Sequence, residues 1–131
     1  MWLVVLSVAI LITFSDQASV LVKESVGRYR PCHNELLKDK VQLINGACGG
    51  MYGFVSSHAA NAFALTTFLI FFFRRKDFAL FMYLWASMVC YSRVYGGVHY
   101  PFDVLGGMLL GIFLGFIAYR FYFNFNKKYA Q

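Results

Sequence analysis

Charge is scarce in this sequence. Only 14% of its 131 residues are Asp, Glu, Lys or Arg, while 60% are hydrophobic and 20% aromatic. An ordinary soluble domain carries about a quarter charged residues, so this composition excludes one. Cysteine is scarce too, and the three present have no zinc-type spacing. Internal repeats and low-complexity segments are absent. The first residues lack a basic leader and an A-x-A-like cleavage site, so the opening apolar run reads as a retained helix rather than a signal peptide. The net charge of +6 comes from basic residues at the ends of apolar blocks. Without a single basic patch, it gives no case for a nucleic-acid partner.

What the sequence does have is apolar blocks long enough to span a bilayer. The first runs from Trp2 to about Val22 and is interrupted late by Ser15, Asp16, Gln17 and Ser19. Asp16 and Lys23, seven apart, share a helix face that either points into protein or a polar cavity, or forms a plain helix-stabilising pair. The second block runs from Ser56-Ser57-His58 to Phe73, the third from Phe78 to about Tyr95, and the fourth from Val104 to Phe123, started by Asp103. Arg74 to Asp77 reads as a tight turn. Gly106, Gly107, Gly111 and Gly115 recur at three- and four-residue spacing, a small-residue face for close helix packing. Tyr119, Tyr122 and Tyr129 read as an interfacial aromatic belt. The fold expected is all-α: a polytopic transmembrane bundle of about four membrane helices in a single domain, 1–131. From Lys23 to Ser57 the chain is polar, with one short helix expected near Glu35–Ile44. Cys90 lies in an apolar run and reads as packing.

The stretch that carries chemistry is Ser92 to Asp103. A charged cluster at the edge of a membrane helix is costly, so its default reading is a functional site. His99 and Asp103 are four apart, one helical turn, so the carboxylate can accept a hydrogen bond from one ring nitrogen. That fixes the tautomer and frees the other lone pair to attack or to take a proton. Arg93 presents a planar fork of donors suited to phosphate or carboxylate oxygens. Gly96-Gly97 lets the backbone turn sharply or approach a ligand closely. A buried histidine in a loop salt bridge is the plainer alternative for the same residues. Ser56 at the start of the second block is placed to cap a helix, whose free N–H groups would also suit a phosphate.

Orientation follows from the basic residues. Arg74, Arg75 and Lys76 fall on the same side as Lys127 and Lys128, the cytoplasmic side by the positive-inside rule. The opposite side holds Lys23, Arg28, Arg30, Lys38, Lys40 and Arg93. That many cations are unfavourable for this topology, and an anionic substrate reached from outside would explain them. Alternation of the blocks puts His58, His99 and Asp103 on that same face. Cys32 and Cys48 bracket fifteen residues of the outer loop. There they either remain two free thiols or form a disulfide that would hold Arg30 near Ser56.

Three motifs in order, Lys23-x6-Arg30-Pro31, Ser56-Ser57-His58 and Ser92-Arg93-x5-His99-x3-Asp103, resemble the signature of the type 2 phosphatidic acid phosphatase family. That family includes lipid phosphate phosphatases, undecaprenyl-diphosphate phosphatases and glucose-6-phosphatase, and shares its site with vanadium haloperoxidases. The first and third motifs match at every defining position. The second reads Val55-Ser56-Ser57-His58 where the family has Pro-Ser-Gly-His. The resemblance implies a phosphatase that needs neither metal nor cofactor. Lys23, Arg30, Arg93, Ser56 and the backbone of Ser57 would bind phosphate. His99 would attack phosphorus to give a phosphohistidine and Asp103 would orient it. His58 would protonate the leaving oxygen and then activate water. The substrate implied is a lipid phosphate or isoprenyl diphosphate in the membrane. The setting implied is a bacterial inner membrane, with the site facing the periplasm or exterior. The family's membrane members commonly have six helices, two of them before the first motif. Here one apolar block precedes Lys23, so the resemblance also implies a fragment or a chain completed by another chain, a homo-oligomer included.

Three further readings compete. Phosphate could pass to an acceptor other than water. An anion-binding or transport protein would use Lys23, Arg30 and Arg93 without chemistry, but would have no need of the His99–Asp103 pair opposite His58. A non-catalytic truncated fragment is the third.

Overall fold

The computed structural model describes residues 2–44 and 46–129, the side chains of residues 128 and 129 excepted. The belt role of Tyr129 and the charge of Lys128 therefore lie outside the described side chains. Regular structure among the described residues is helical: α1 (Trp2–Val26), α2 (Ser57–Phe73), α3 (Lys76–Tyr95) and α4 (Pro101–Tyr129), with one 3-10 turn at Pro31–His33. The bundle is the all-α membrane architecture read from the apolar blocks. α1 and α4 are long and apolar enough to cross a membrane, and α2 is apolar but shorter.

The boundaries differ from the sequence reading, each for a local reason. α1 runs past Val22 and takes in Lys23, ending where Gly27 turns left-handed (φ +62°) and gives its N–H to the Lys23 carbonyl at 2.9 Å. The expected turn at Arg74 to Asp77 shrinks to Arg74 and Arg75. Arg74 is left-handed (φ 53°) and is anchored by Nη2 donating to the Tyr119 hydroxyl at 2.8 Å. α4 starts at Pro101, not Asp103, because proline suits the first helical position, where its missing N–H costs nothing. No helix forms near Glu35–Ile44. Asn34 takes the Leu36 N–H on its side-chain oxygen at 3.0 Å, a contact of the kind that caps a helix start, yet only successive turns follow to Lys40.

α2 and α4 each touch the other three helices, whereas among the described residues α1 does not meet α3. The closest packing is α2 on α4. A Cβ at Gly107 would lie 2.5 Å from the Ser56 carbonyl oxygen, and one at Gly115 2.5 Å from that of Ala64. At Gly111 a Cβ would strike the Ala60 carbonyl. The glycine face of α4 thus fits onto the alanines of α2 (Ala59, Ala60 and Ala64), all fully buried. Without a hydrophobic force between helices in lipid, such close backbone approach is what holds them. One core cluster joins Ala59, Phe63, Ala86, Cys90 and Val104 near the loop end; another joins Leu11, Phe68, Leu114 and Tyr119 near the other. Leu80, Phe81, Leu84, Met88 and Tyr91 face outward from α3, a lipid-facing surface. α2 stops at Phe73 while α1 and α4 run on at that end, leaving an apolar groove of about 490 Å³ lined by Leu3, Leu6, Ile10, Phe121 and Phe125 among others.

The segment from Gly27 to Val55 folds over the other end. Tyr29 and Tyr52 form a single antiparallel bridge; beside it the Arg30 N–H donates to the Met51 carbonyl (3.1 Å) and the Gly53 N–H to the Arg28 carbonyl (2.8 Å). Cys32 and Cys48 are joined in a disulfide with Cα atoms 6.0 Å apart. The loop closes against Gly97, whose left-handed backbone (φ +72°) receives Val41 and Gln42. The freedom expected of Gly96-Gly97 serves this turn and loop contact.

Candidate active site

The first turn of α4 positions the dyad. Asp103 is the third helical residue, and its Oδ2 accepts the N–H of Tyr100, the residue before the helix, at 2.9 Å. This is half of a capping box, so the carboxylate is oriented by the helix start itself. His99 lies just outside α4, not on it, and its Nδ1 is 3.4 Å from the same oxygen. Both side chains are buried: Asp103 is 0% exposed and His99 3%. Burial pushes the His99 imidazole below the usual histidine range. Its bond to Asp103 opposes that shift, while the Arg30 and Lys23 charges add to it. The ring is therefore neutral near pH 7, with Nε2 carrying the free lone pair when Nδ1 donates to Asp103.

The cations converge from three elements. Lys23, in the last turn of α1, donates to the Ser57 hydroxyl at the start of α2, and Ser19, one turn earlier, sits 2.6 Å from the same oxygen. Arg30 is clamped by the loop, its Nε donating to the Tyr52 carbonyl at 3.2 Å and its Nη1 to the Cys48 carbonyl at 3.1 Å. Burial, with Arg93 adding and Asp103 opposing, lowers its pKa from the ordinary arginine value, though a guanidinium stays protonated. Arg93, in the last turn of α3, donates through Nε to Ser92 Oγ at 3.1 Å and lines a cavity of about 290 Å³ with Ile44, Tyr95 and Val98. His58 is exposed on the first turn of α2, within electrostatic reach of Arg93, His99, Lys23 and Arg30. Ser56 sits at the helix start without capping it. It is fully buried, its N–H donates to the Asp103 carbonyl at 2.9 Å, and its hydroxyl has no hydrogen-bond partner among the described residues.

Two residues escaped the sequence reading. Arg28 reaches Asp103, with Nη1 3.5 Å from Oδ1. It was legible only as one more cation of the outer loop. Ser19 was legible as an interruption of an apolar helix, four residues before Lys23 and so on its face. The Nε2 of His33 is 3.3 Å from the Gly49 carbonyl oxygen, a contact within the loop.

An imidazole beside a buried carboxylate, within electrostatic reach of Lys23, Arg30 and a second histidine, can attack an anionic centre and pass a proton on the way. Comparison with known proteins points the same way. Lipid A 4'-phosphatase of Bacteroides thetaiotaomicron is 42% identical over 129 residues, covering 97% of this chain and 56% of that protein. Lipid A 4'-phosphatase of Porphyromonas gingivalis is 33% identical, covering 94% and 52%. Undecaprenyl-diphosphatase BcrC of Bacillus subtilis is 34% identical over 68 residues, 52% of this chain and 34% of that protein. The chain thus spans about half the length of the lipid A phosphatases it matches. No solved structure matches it. Residues 1–127, which contain all three motifs and all of the bundle but the last two residues of α4, match the PAP2 superfamily, and the chain belongs to that superfamily.

Proposed function

We propose that this chain carries a metal-independent phosphatase site for a membrane lipid phosphate or diphosphate, working through a phosphohistidine at His99. The observation that carries the reading is the buried His99–Asp103 pair within electrostatic reach of Lys23, Arg30 and His58. Lys23, Arg30 and Arg93 would neutralise the non-bridging oxygens, the role a metal ion plays elsewhere. The unpartnered Ser56 hydroxyl would be satisfied by a phosphate oxygen, and Ser57 would lend a further donor. His99 Nε2 attacks phosphorus as the bond to the leaving oxygen breaks, and His58 gives that oxygen a proton. His58 then takes a proton from water, whose oxygen attacks phosphorus. The P–N bond breaks, and inorganic phosphate leaves with His99 neutral again.

A lipid A 4'-phosphate is the favoured substrate, since the two lipid A 4'-phosphatases align along nearly the whole chain and the undecaprenyl-diphosphatase along about half. An isoprenyl diphosphate is the second reading. The site faces the exterior or periplasm of a bacterial inner membrane, with the turn at Arg74 and Arg75 in the cytoplasm. The test is phosphate release from a lipid monoester and from an isoprenyl diphosphate, combined with trapping of acid-labile phosphate on the protein. His99→Ala should abolish release and trapping alike. His58→Ala should lose about 10²–10⁴-fold with an alkyl leaving group. With a nitrophenyl ester it should instead accumulate the phosphohistidine. Near-normal turnover in His99→Ala would sink the assignment.

A further inference from the structure

Asp103 uses its two oxygens differently. Oδ2 takes both His99 Nδ1 and the Tyr100 N–H, while Oδ1 has no hydrogen-bond partner and faces the Arg28 guanidinium at 3.5 Å. Arg28 is held from two sides. Its backbone carbonyl accepts the Gly53 N–H at 2.8 Å beside the Tyr29–Tyr52 bridge. Its guanidinium lies 4.5 Å from the centroid of the Tyr100 ring and 5.9 Å from that of Phe54. Gly53 closes the arrangement, because a Cβ there would come within 2.9 Å of Asp103 Oδ2. The Arg28 side chain is 35% exposed, so it lies over a fully buried carboxylate as a partial cover.

We propose that Arg28, which lies in the variable spacer of the first motif and at none of its defining positions, is a positioning residue that acts through Asp103 on the His99 nucleophile. It holds one carboxylate oxygen so that the other faces the imidazole, and it offsets the field of that carboxylate at the ring. This rests on the phosphatase reading above. A bare carboxylate beside His99 favours the imidazolium, whereas a partly neutralised one leaves the neutral, attacking ring favoured at lower pH. The other charges acting on His99 are Asp103 from α4, Lys23 from α1 and Arg30 from the loop. His58 of α2 is coupled to it, and Arg93 of α3 acts on His58 and Arg30. Changing Arg28 leaves Lys23, Arg30, His58 and Arg93 in place, so the share that passes through Asp103 can be read separately. The fork of Arg28 is turned to Asp103 and stacked on an aromatic face, a placement for orienting a carboxylate.

The experiment is titration of His99 by NMR in the histidine-labelled full chain in lipid nanodiscs, with His33→Gln and His58→Gln used to assign the signals. Arg28→Gln should raise the His99 midpoint by about half a pH unit or more. Arg28→Lys, which keeps the charge, should stay near the wild-type midpoint. With a lipid phosphate monoester, Arg28→Gln should lower kcat about tenfold at little change in KM, and move the acid limb of kcat/KM upward in step with the midpoint. Should Arg28→Gln not fold, Arg28→Met keeps the apolar stem over Tyr100 and gives the same reading. An unmoved His99 midpoint in the uncharged variant overturns the proposal. So does a raised KM at unchanged kcat, which would make Arg28 a substrate contact. If the wild-type chain releases no phosphate while the midpoint still moves, the phosphatase reading falls and the Arg28–Asp103–His99 link stands.

Discussion

At the scale of single residues, the decisive quantity is the protonation of His99. Burial holds its imidazole below the ordinary histidine value of about 6.5, so the neutral form persists into mildly acidic solution. Attack on phosphorus needs that neutral form. The acid limb of kcat/KM should therefore lie below the ordinary histidine range, and activity should fall as pH drops through the folded-state pKa. Stability follows the same sign. A depressed histidine contributes fully above its unfolded pKa, and that contribution is lost as pH falls through the folded one. A pH–rate profile on a nitrophenyl ester, paired with a melting series over the same range, checks both. An acid limb above the ordinary range would contradict the burial argument. The sequence exposed Lys23, Arg30, Arg93, His58, His99 and Asp103 because their spacing within three short motifs is itself the signal. Arg28 and Ser19 were not legible in this way. Their partners, Asp103 and Ser57, are distant in sequence, and a lone arginine in a basic loop looks like any other.

Helix lengths and faces were legible from the apolar blocks, and the glycine face of α4 is the clearest case at the scale of elements. Small residues at three- and four-residue spacing leave no other way to bury a helix side in lipid, and α2 fills that side. Gly111→Val drives side-chain atoms into the Ala60 carbonyl and should destabilise the bundle by about 1–3 kcal/mol or more. Gly50→Ala meets open space and should stay within about 0.5 kcal/mol. Thermal unfolding of both variants in detergent tests the contrast, and equal melting would refute the α2–α4 packing. The loop was less legible. Residues 35–40 close as successive turns where a short helix was expected, and composition alone does not separate the two. The Cys32–Cys48 bridge clamps the stretch whose Cys48 carbonyl accepts Arg30. Replacing both cysteines by serine should cost about 3 kcal/mol on the chain-entropy view. It should also raise KM more than it lowers kcat, since Arg30 loses its clamp. Non-reducing peptide mapping and kinetics decide it; free thiols in protein from an oxidising compartment would end the idea.

At the scale of the whole molecule, the motif residues gather at one end of the bundle and the Arg74–Arg75 turn lies at the other. A cysteine placed at Lys38 should react with a membrane-impermeant thiol reagent in intact cells, and one at Lys76 should not. Reaction at Lys76 alone would invert the orientation and move the site to the cytoplasm. The unequal helices have a further consequence. By the α-helical rise, α2 is about 26 Å long, against about 38 Å for α1 and 44 Å for α4. Lys23 ties the start of α2 to the last turn of α1, and Gly107 of α4 meets Ser56, so part of the difference falls at the site end and the rest at the far end, where the apolar groove opens. No water enters hydrocarbon to fill such a gap, so acyl chains must stand in for the missing side chains. A thin bilayer suits α2 and strands the ends of its neighbours; a thick one covers them and stretches past α2. The lipid is in that sense the outermost layer of the core, and the thickness of the membrane sets how well the core is packed.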